Sequence, residues 1–138
     1  MASVALCSLL ALAGCTDGQV AALADDPIAA ATPAGGELVT SQEEAAHDGG
    51  LLGKPSPAQV SRTYAFDSEA AARRATGELL TEAESAGWEV TSVAPDGTGF
   101  SAERLLDGRR AALVVALNLA PAIQPAPGVF VSLSQRGD

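Results

Sequence analysis

The dipeptide Asp107-Gly108 stands between two segments in which apolar and polar residues alternate. Both residue types tolerate the positive φ angles of a two-residue type I′ turn, so the pair predicts a β-hairpin. The turn also fixes the register, because it pairs Leu106 with Arg109 and then successive residues outward along both strands. The hairpin face that we expect a helix to cover holds Phe100, Ala102, Leu113, Val115 and Leu117.

Other segments extend this hairpin into a sheet. Residues 60–66, 89–93 and 129–135 have the composition of strands. Residues 69–86 repeat small and apolar side chains at helical spacing, with Asp67-Ser68 offering an N-cap and Gly87 as C′ residue. The order β-α-β-β-β-β predicts an α+β domain at residues 58–138, a two-layer sandwich with one helix packed on a mostly antiparallel sheet.

The chain's two cysteines, Cys7 and Cys15, both lie near the N-terminus. Residues 4–13 form an apolar run that is too short to span a bilayer, which needs about 20 helical residues, and that fits an export signal. The sequence Leu12-Ala13-Gly14-Cys15 resembles the lipobox of bacterial lipoproteins, in which an aliphatic and two small residues precede the obligatory cysteine. The resemblance implies cleavage between Gly14 and Cys15, and acylation of Cys15 with fatty acids such as palmitate.

This resemblance implies a protein that is lipid-anchored at the extracytoplasmic face of the cell membrane, with the bilayer as a partner through Cys15. Residues 1–14 would be the signal peptide, and Cys7 would leave with it, so no disulfide could form in the domain. The segment before the apolar run has no Lys or Arg, which predicts a natural start codon upstream of Met1. The layout is similar to that of small envelope lipoproteins of high-GC Gram-positive bacteria, without pointing to a named domain family.

Residues 15–57 are rich in Ala, Gly, Pro, Asp and Glu and contain no aromatic residue. After the lipidated Cys15, this composition predicts a disordered acidic linker. Ser41-Gln42-Glu43-Glu44 matches a capping box, which allows a short helix as far as about His47. His47 has no second histidine or thiol nearby in the sequence, so we expect a solvated linker residue rather than a metal ligand.

The charge distribution bears on the class of partner. Residues 1–53 contain seven acidic and no basic side chains, whereas residues 54–138 contain ten acidic and eight basic ones. The domain therefore lacks the excess positive charge that phosphate backbones require, and we expect no nucleic-acid partner. Residues 58–138 also contain no Cys or His, so thiol nucleophiles and imidazole bases are absent from the domain. We expect neither a catalytic site nor a metal or cofactor.

Three functions are compatible with these features. The leading interpretation is a non-enzymatic interaction module that binds an envelope protein through an open sheet face or a charged hairpin tip. Its candidate contact residues are Arg104, Arg109, Arg110, Leu105 and Val114. The first alternative is a small-ligand carrier, which would need an apolar cavity between helix and sheet. The second is a carboxylate-only hydrolase, which would need two acids such as Glu89 and Glu103 facing each other in a pocket.

Overall fold

The computed structural model describes residues 17–136. In chain order their elements are helices α1 (Asp17–Ala24) and α2 (Pro27–Ala30), strands β1 (Glu37–Glu44) and β2 (Ala58–Ala65), helix α3 (Glu69–Ser85), and strands β3 (Glu89–Val93), β4 (Gly99–Leu106), β5 (Arg109–Asn118) and β6 (Gly128–Gln135). The predicted α+β class is confirmed. The predicted signal peptide, Cys7 and Cys15 lie outside the described residues.

All six strands form one antiparallel sheet in the order β1-β2-β6-β5-β4-β3. Three of its five pairings between neighbouring strands follow the chain from β3 to β6, and β6 then pairs with β2. Along the central strands every second side chain is buried, and among these Leu113 and Leu133 are fully buried neighbours. Helix α3 packs against β3, β4, β5 and β6, while α1 packs against β2 and β6.

The β4–β5 hairpin has the predicted turn and register. Asp107 has φ +50° and Gly108 has φ +76°, as a type I′ turn requires. The register pairs Leu106 with Arg109 and continues to Gly99 and Ala116. The face predicted to lie under a helix is buried at Phe100, Ala102, Leu113 and Val115 and partly buried at Leu117.

Helix α3 also begins and ends as its sequence predicts. The Ser68 side chain accepts a hydrogen bond from the N–H of Ala71, which caps the N-terminus. At the other end, Gly87 has φ +89° and the N–H of Trp88 donates to the carbonyl of Ala83 at 2.9 Å. These are the features of a Schellman motif, and they direct Trp88 back onto the helix, where it is buried.

The prediction of a disordered linker over residues 15–57 is wrong for residues 17–44. Leu23 and Ile28 are 0% and 1% exposed, so this segment contributes two of the largest fully buried side chains to the core. They are buried by α3 and by strands that come much later in the sequence, which is why local composition did not reveal them. The folded unit therefore begins no later than residue 17, rather than at residue 58.

The short helix to about His47 that the capping box at residues 41–44 allowed is not formed. These residues belong to β1, which pairs with β2 from Glu37 to Glu44 with an irregularity between Leu38 and Thr40. Every side chain of β1 is exposed, so the strand is held through its backbone hydrogen bonds rather than by burial of a face. Pairing of seven residues with β2 outweighs the single local capping interaction that the sequence offers.

Candidate functional site

A polar cluster joins the N-terminal helices to the C-terminal end of α3. The Asp26 carboxylate accepts hydrogen bonds from the guanidinium of Arg104 at 3.1 Å, the indole N–H of Trp88 at 3.3 Å and the backbone N–H of Ile28 at 3.0 Å. The same guanidinium donates to the carbonyl of Ala86 at 2.6 Å and lies 5.6 Å from the centre of the Trp88 ring. The Asp26 side chain is 1% exposed, and the geometry of the cluster is that of an internal brace.

This brace corrects one of the predicted contact residues. Arg104 was expected at an exposed hairpin tip, but its side chain is only 26% exposed and lies on the helix side of the sheet. Arg104 reaches Asp26 because Asp26 is the N-cap of α2 and lies beside the end of β4. This contact requires the N-terminal segment to be folded. The sequence carried no sign of Asp26 as a buried partner.

No helix within residues 17–136 covers the opposite face of the sheet, which consists largely of small side chains. We call it the open face, and define it by the side chains that alternate with the buried ones on β2, β6, β5 and β4. They are Gln59, Ser61, Thr63, Phe130, Ser132, Ser134, Arg110, Ala112, Val114, Ala116, Ser101, Glu103 and Leu105. One cross-strand row runs through Ser101, Val114, Ser132 and Ser61, so three serines and one valine lie in the middle of this face.

Two of the predicted apolar contact residues lie on the open face but are separated. Val114 is 42% exposed and is a diagonal neighbour of Phe130, which is 36% exposed. Leu105 is 66% exposed and pairs with Arg110 near the hairpin tip, four residues along β5 from Val114. The apolar surface is therefore a central pair, Val114 and Phe130, with Leu105 at a distance from it.

The remaining charged residues of the tip are exposed. Arg110 donates to the carboxylate of Glu103 at 2.8 Å across the strands, and the two side chains are 75% and 43% exposed. Arg109 lies at the turn, exposed, with its carbonyl accepting a hydrogen bond from Gln135. The predicted cluster of three arginines is therefore reduced to Arg109 and Arg110.

The structure brings together the two acids of the hydrolase interpretation without giving them a cleft. Glu89 and Glu103 are cross-strand partners at one register position of β3 and β4. Both are on the open face, where Glu103 is engaged by Arg110. A pair of carboxylates that works on a bound substrate requires surrounding walls. Neither of the two depressions beside helix α3 includes Glu89 or Glu103.

Two surface depressions flank helix α3. One, of about 450 Å³, is lined by Arg74, Gly77, Glu78, Thr81 and Glu82 along the outer side of the helix. The other, of about 250 Å³, lies between the helix and the β3–β4 turn and contains Arg73, Leu80 and Asp96. Both are open and charged at the edges. Neither is the enclosed apolar cavity between helix and sheet that a carrier would need.

The β3–β4 turn contains one strongly hydrogen-bonded carboxylate. The Thr98 hydroxyl donates to Asp96 at 2.6 Å and the Thr98 backbone N–H donates at 3.1 Å. These hydrogen bonds hold the pKa of the Asp96 carboxyl below its usual value. Arg73 donates to the backbone carbonyl of Asp96, so the turn is tied to α3. This is the chemistry of a fixed turn.

A feature that the sequence reading passed over lies in the loop between β1 and β2. Leu51 and Leu52 project fully into solvent at the tip of this loop. In the sequence they are recognisable as a pair of adjacent leucines between glycines in an otherwise polar stretch. His47 lies at the base of the same loop, where its backbone pairs with that of Ser56.

Within residues 17–136 there is no cluster of three or more His, Cys, Asp or Glu side chains arranged to hold a metal ion. None of the helices in this part of the chain is long and apolar enough to cross a membrane. No protein-family model, curated protein or solved structure matches the chain.

Proposed function

We propose that the protein is a lipid-anchored lipoprotein of the cell envelope, held at the extracytoplasmic face of the membrane through acylated Cys15, and that it acts as a non-enzymatic module binding an envelope protein. The observation that carries the proposal is the position of the lipobox relative to the fold. Helix α1 begins at Asp17, two residues after Cys15, so signal cleavage at the lipobox would leave the folded unit intact.

The open face supports the second half of the proposal. In the proposed architecture, a two-layer sandwich, the helices cover one side of the sheet and leave the other side to a partner. Side chains such as Ser101, Ser132 and Ala112 lose little conformational entropy on contact, so a surface of small side chains can be covered at low cost. The exposed pair Val114 and Phe130 would supply the apolar centre, and Arg110 with Glu103 the polar rim.

The carrier interpretation remains the alternative from another class. It would gain support from a ligand that co-purifies with the protein and is released on unfolding. The hydrolase interpretation would require a substrate that itself shields Glu89 and Glu103 from solvent, and we rank it last.

The anchoring half is tested by fractionation of intact cells that express either the native chain or Cys15→Ala. We expect the native protein in the membrane fraction, with a mass increase from acylation, and the variant outside that fraction. If Cys15→Ala fractionates with membranes as the native protein does, the anchoring proposal is wrong.

The binding half is tested by cross-linking in the same cells, followed by identification of captured proteins by mass spectrometry. Val114→Lys places a charge at the centre of the open face, and Ile123→Lys places the same charge at another exposed apolar position, in the β5–β6 connection. We expect one envelope protein to be captured by the native chain and by Ile123→Lys but not by Val114→Lys. Equal capture by both variants, each with native thermal stability, would exclude the open face as the binding surface.

A further inference from the structure

Leu51 and Leu52 are the most exposed large apolar side chains among the described residues. Each is 102% exposed, which is the exposure of a residue with no folded neighbours at all. Single apolar residues are common on protein surfaces, but two adjacent leucines with complete exposure at one protruding tip are unfavourable in water. Such a tip indicates a surface that is covered in use.

The loop is closed below the two leucines by short hydrogen bonds. The N–H of Gly53 donates to the carbonyl of Gly49 at 2.7 Å, and the Asp48 carboxylate accepts from the N–H of Gly50 at 3.0 Å. His47 and Ser56 exchange two backbone hydrogen bonds at the base. A Cβ on Gly49 would meet the backbone of Lys54, and one on Gly53 would meet Gly49, so both glycines are needed for this closure. The loop therefore holds the leucines outward.

We propose that Leu51 and Leu52 insert into the surface of the bilayer that carries the lipid on Cys15. This inference rests on the proposed function, because acylation is what brings the domain to the membrane. Two residues of extended chain span at most about 7 Å, so the start of α1 would lie close to the headgroups. Helix α1 packs on β2, and the leucine loop leads directly into β2. A domain held this closely rests on the bilayer.

The basic residue that follows the loop tip fits insertion into the bilayer interface. Lys54, the only basic residue before Arg62, follows the loop tip directly and makes no ion pair within residues 17–136. A lysine at this position can extend its ammonium group to the headgroups while the leucines enter the apolar region. The driving force is burial of apolar surface, with a partition gain on the order of tenfold for each leucine, so insertion does not depend on anionic lipid.

The test uses the full chain, processed in cells, purified and reconstituted in phosphatidylcholine vesicles that contain a lipid-attached quencher. In the variant Leu52→Cys, a polarity-sensitive fluorophore is attached to the new thiol. The matched control is Ile123→Cys, because Ile123 is 63% exposed and lies in the connection at the opposite end of the sheet. We expect a blue-shifted emission and severalfold stronger quenching at position 52 than at position 123.

Emission at position 52 that is as red and as weakly quenched as at position 123 would overturn the proposal. Emission that is blue-shifted but insensitive to the lipid quencher would also overturn it, because a second copy or another protein would then cover the loop. The chain without an added cysteine reports separately on the proposed function. If this parent protein takes up the fluorophore, Cys15 is not acylated, and the failure lies in the anchoring proposal rather than in the loop.

Discussion

The Asp26 carboxylate and the Arg104 guanidinium, 78 positions apart in the sequence, form an ion pair of 3.1 Å in which the Asp26 side chain is 1% exposed. The aspartate is the N-cap of α2, and the arginine lies near the end of β4. Their pairing attaches the N-terminal segment to the sheet, and Trp88 and Ala86 complete the attachment. The brace therefore contributes, together with the burial of Leu23 and Ile28, to holding residues 17–31 on the rest of the domain.

Arg104→Met should lower the free energy of unfolding by about 2–4 kcal/mol, because it leaves the buried carboxylate of Asp26 without its counter-charge. Asp26→Asn should cost less, since the amide oxygen can still accept from the N–H groups of Ile28 and Trp88. Urea unfolding followed by Trp88 fluorescence measures both. Arg74→Met, at an exposed position of α3, serves as the control and should stay within about 0.5 kcal/mol of the native value. Equal losses in Arg104→Met and Arg74→Met would contradict the role assigned to the brace.

Much of residues 58–136 could be predicted because its determinants are local. The turn at Asp107-Gly108 needs two positive φ angles, which few other dipeptides adopt. Recognition of the turn therefore also predicted the register of the hairpin and its buried face. The Gly87 termination of α3 is local in the same sense.

The N-terminal part could not be predicted because its stability comes from distant residues. Helix α1 contains mostly small residues, and only Leu23 is buried, by strands that follow it in the chain. Strand β1 has no alternation of buried and exposed side chains, because all of its side chains are exposed. The misplacement of Arg104 has the same origin, because its partner Asp26 was assigned to a linker. Leu51 and Leu52 were visible in the sequence, but their exposure depends on the closure of the loop.

The two glycines of the α3 region should respond in opposite directions to substitution by alanine. Gly87 has φ +89°, where a Cβ is unfavourable, so Gly87→Ala should destabilise the fold by about 1 kcal/mol. Gly77 lies within α3, and a Cβ there would meet no atom within 4 Å, so Gly77→Ala should stabilise the fold by about 0.5–1 kcal/mol. Thermal unfolding of both variants gives the comparison. A loss of stability in Gly77→Ala would show that the outer side of α3 is not as open as described.

The pKa of Asp96 should depend on the Thr98 side chain, whose hydroxyl is the principal cause of its lowering. In Thr98→Val the backbone hydrogen bond remains, so the pKa should rise toward its ordinary value without reaching it. Carboxyl-selective NMR titration measures the change at Asp96. Thr81→Val removes a hydroxyl from the exposed side of α3 instead and should leave the Asp96 titration unchanged.

Alkaline stability should depend on Tyr64, the only tyrosine of the chain. Burial raises the pKa of its phenol above the usual value near 10, and the neighbouring charge of Arg62 opposes only part of the increase. The unfolded chain therefore releases this proton at lower pH than the folded chain does. The contribution of the neutral phenol to stability is complete below about pH 10 and is lost as the pH rises through the folded pKa, at no more than about 1.4 kcal/mol per pH unit. In Tyr64→Phe this part of the pH dependence should disappear. Urea unfolding at several pH values from about 9 upward measures the difference. If the native chain and Tyr64→Phe lose stability in parallel over that range, other groups control alkaline unfolding and the phenol is not buried as the structure has it.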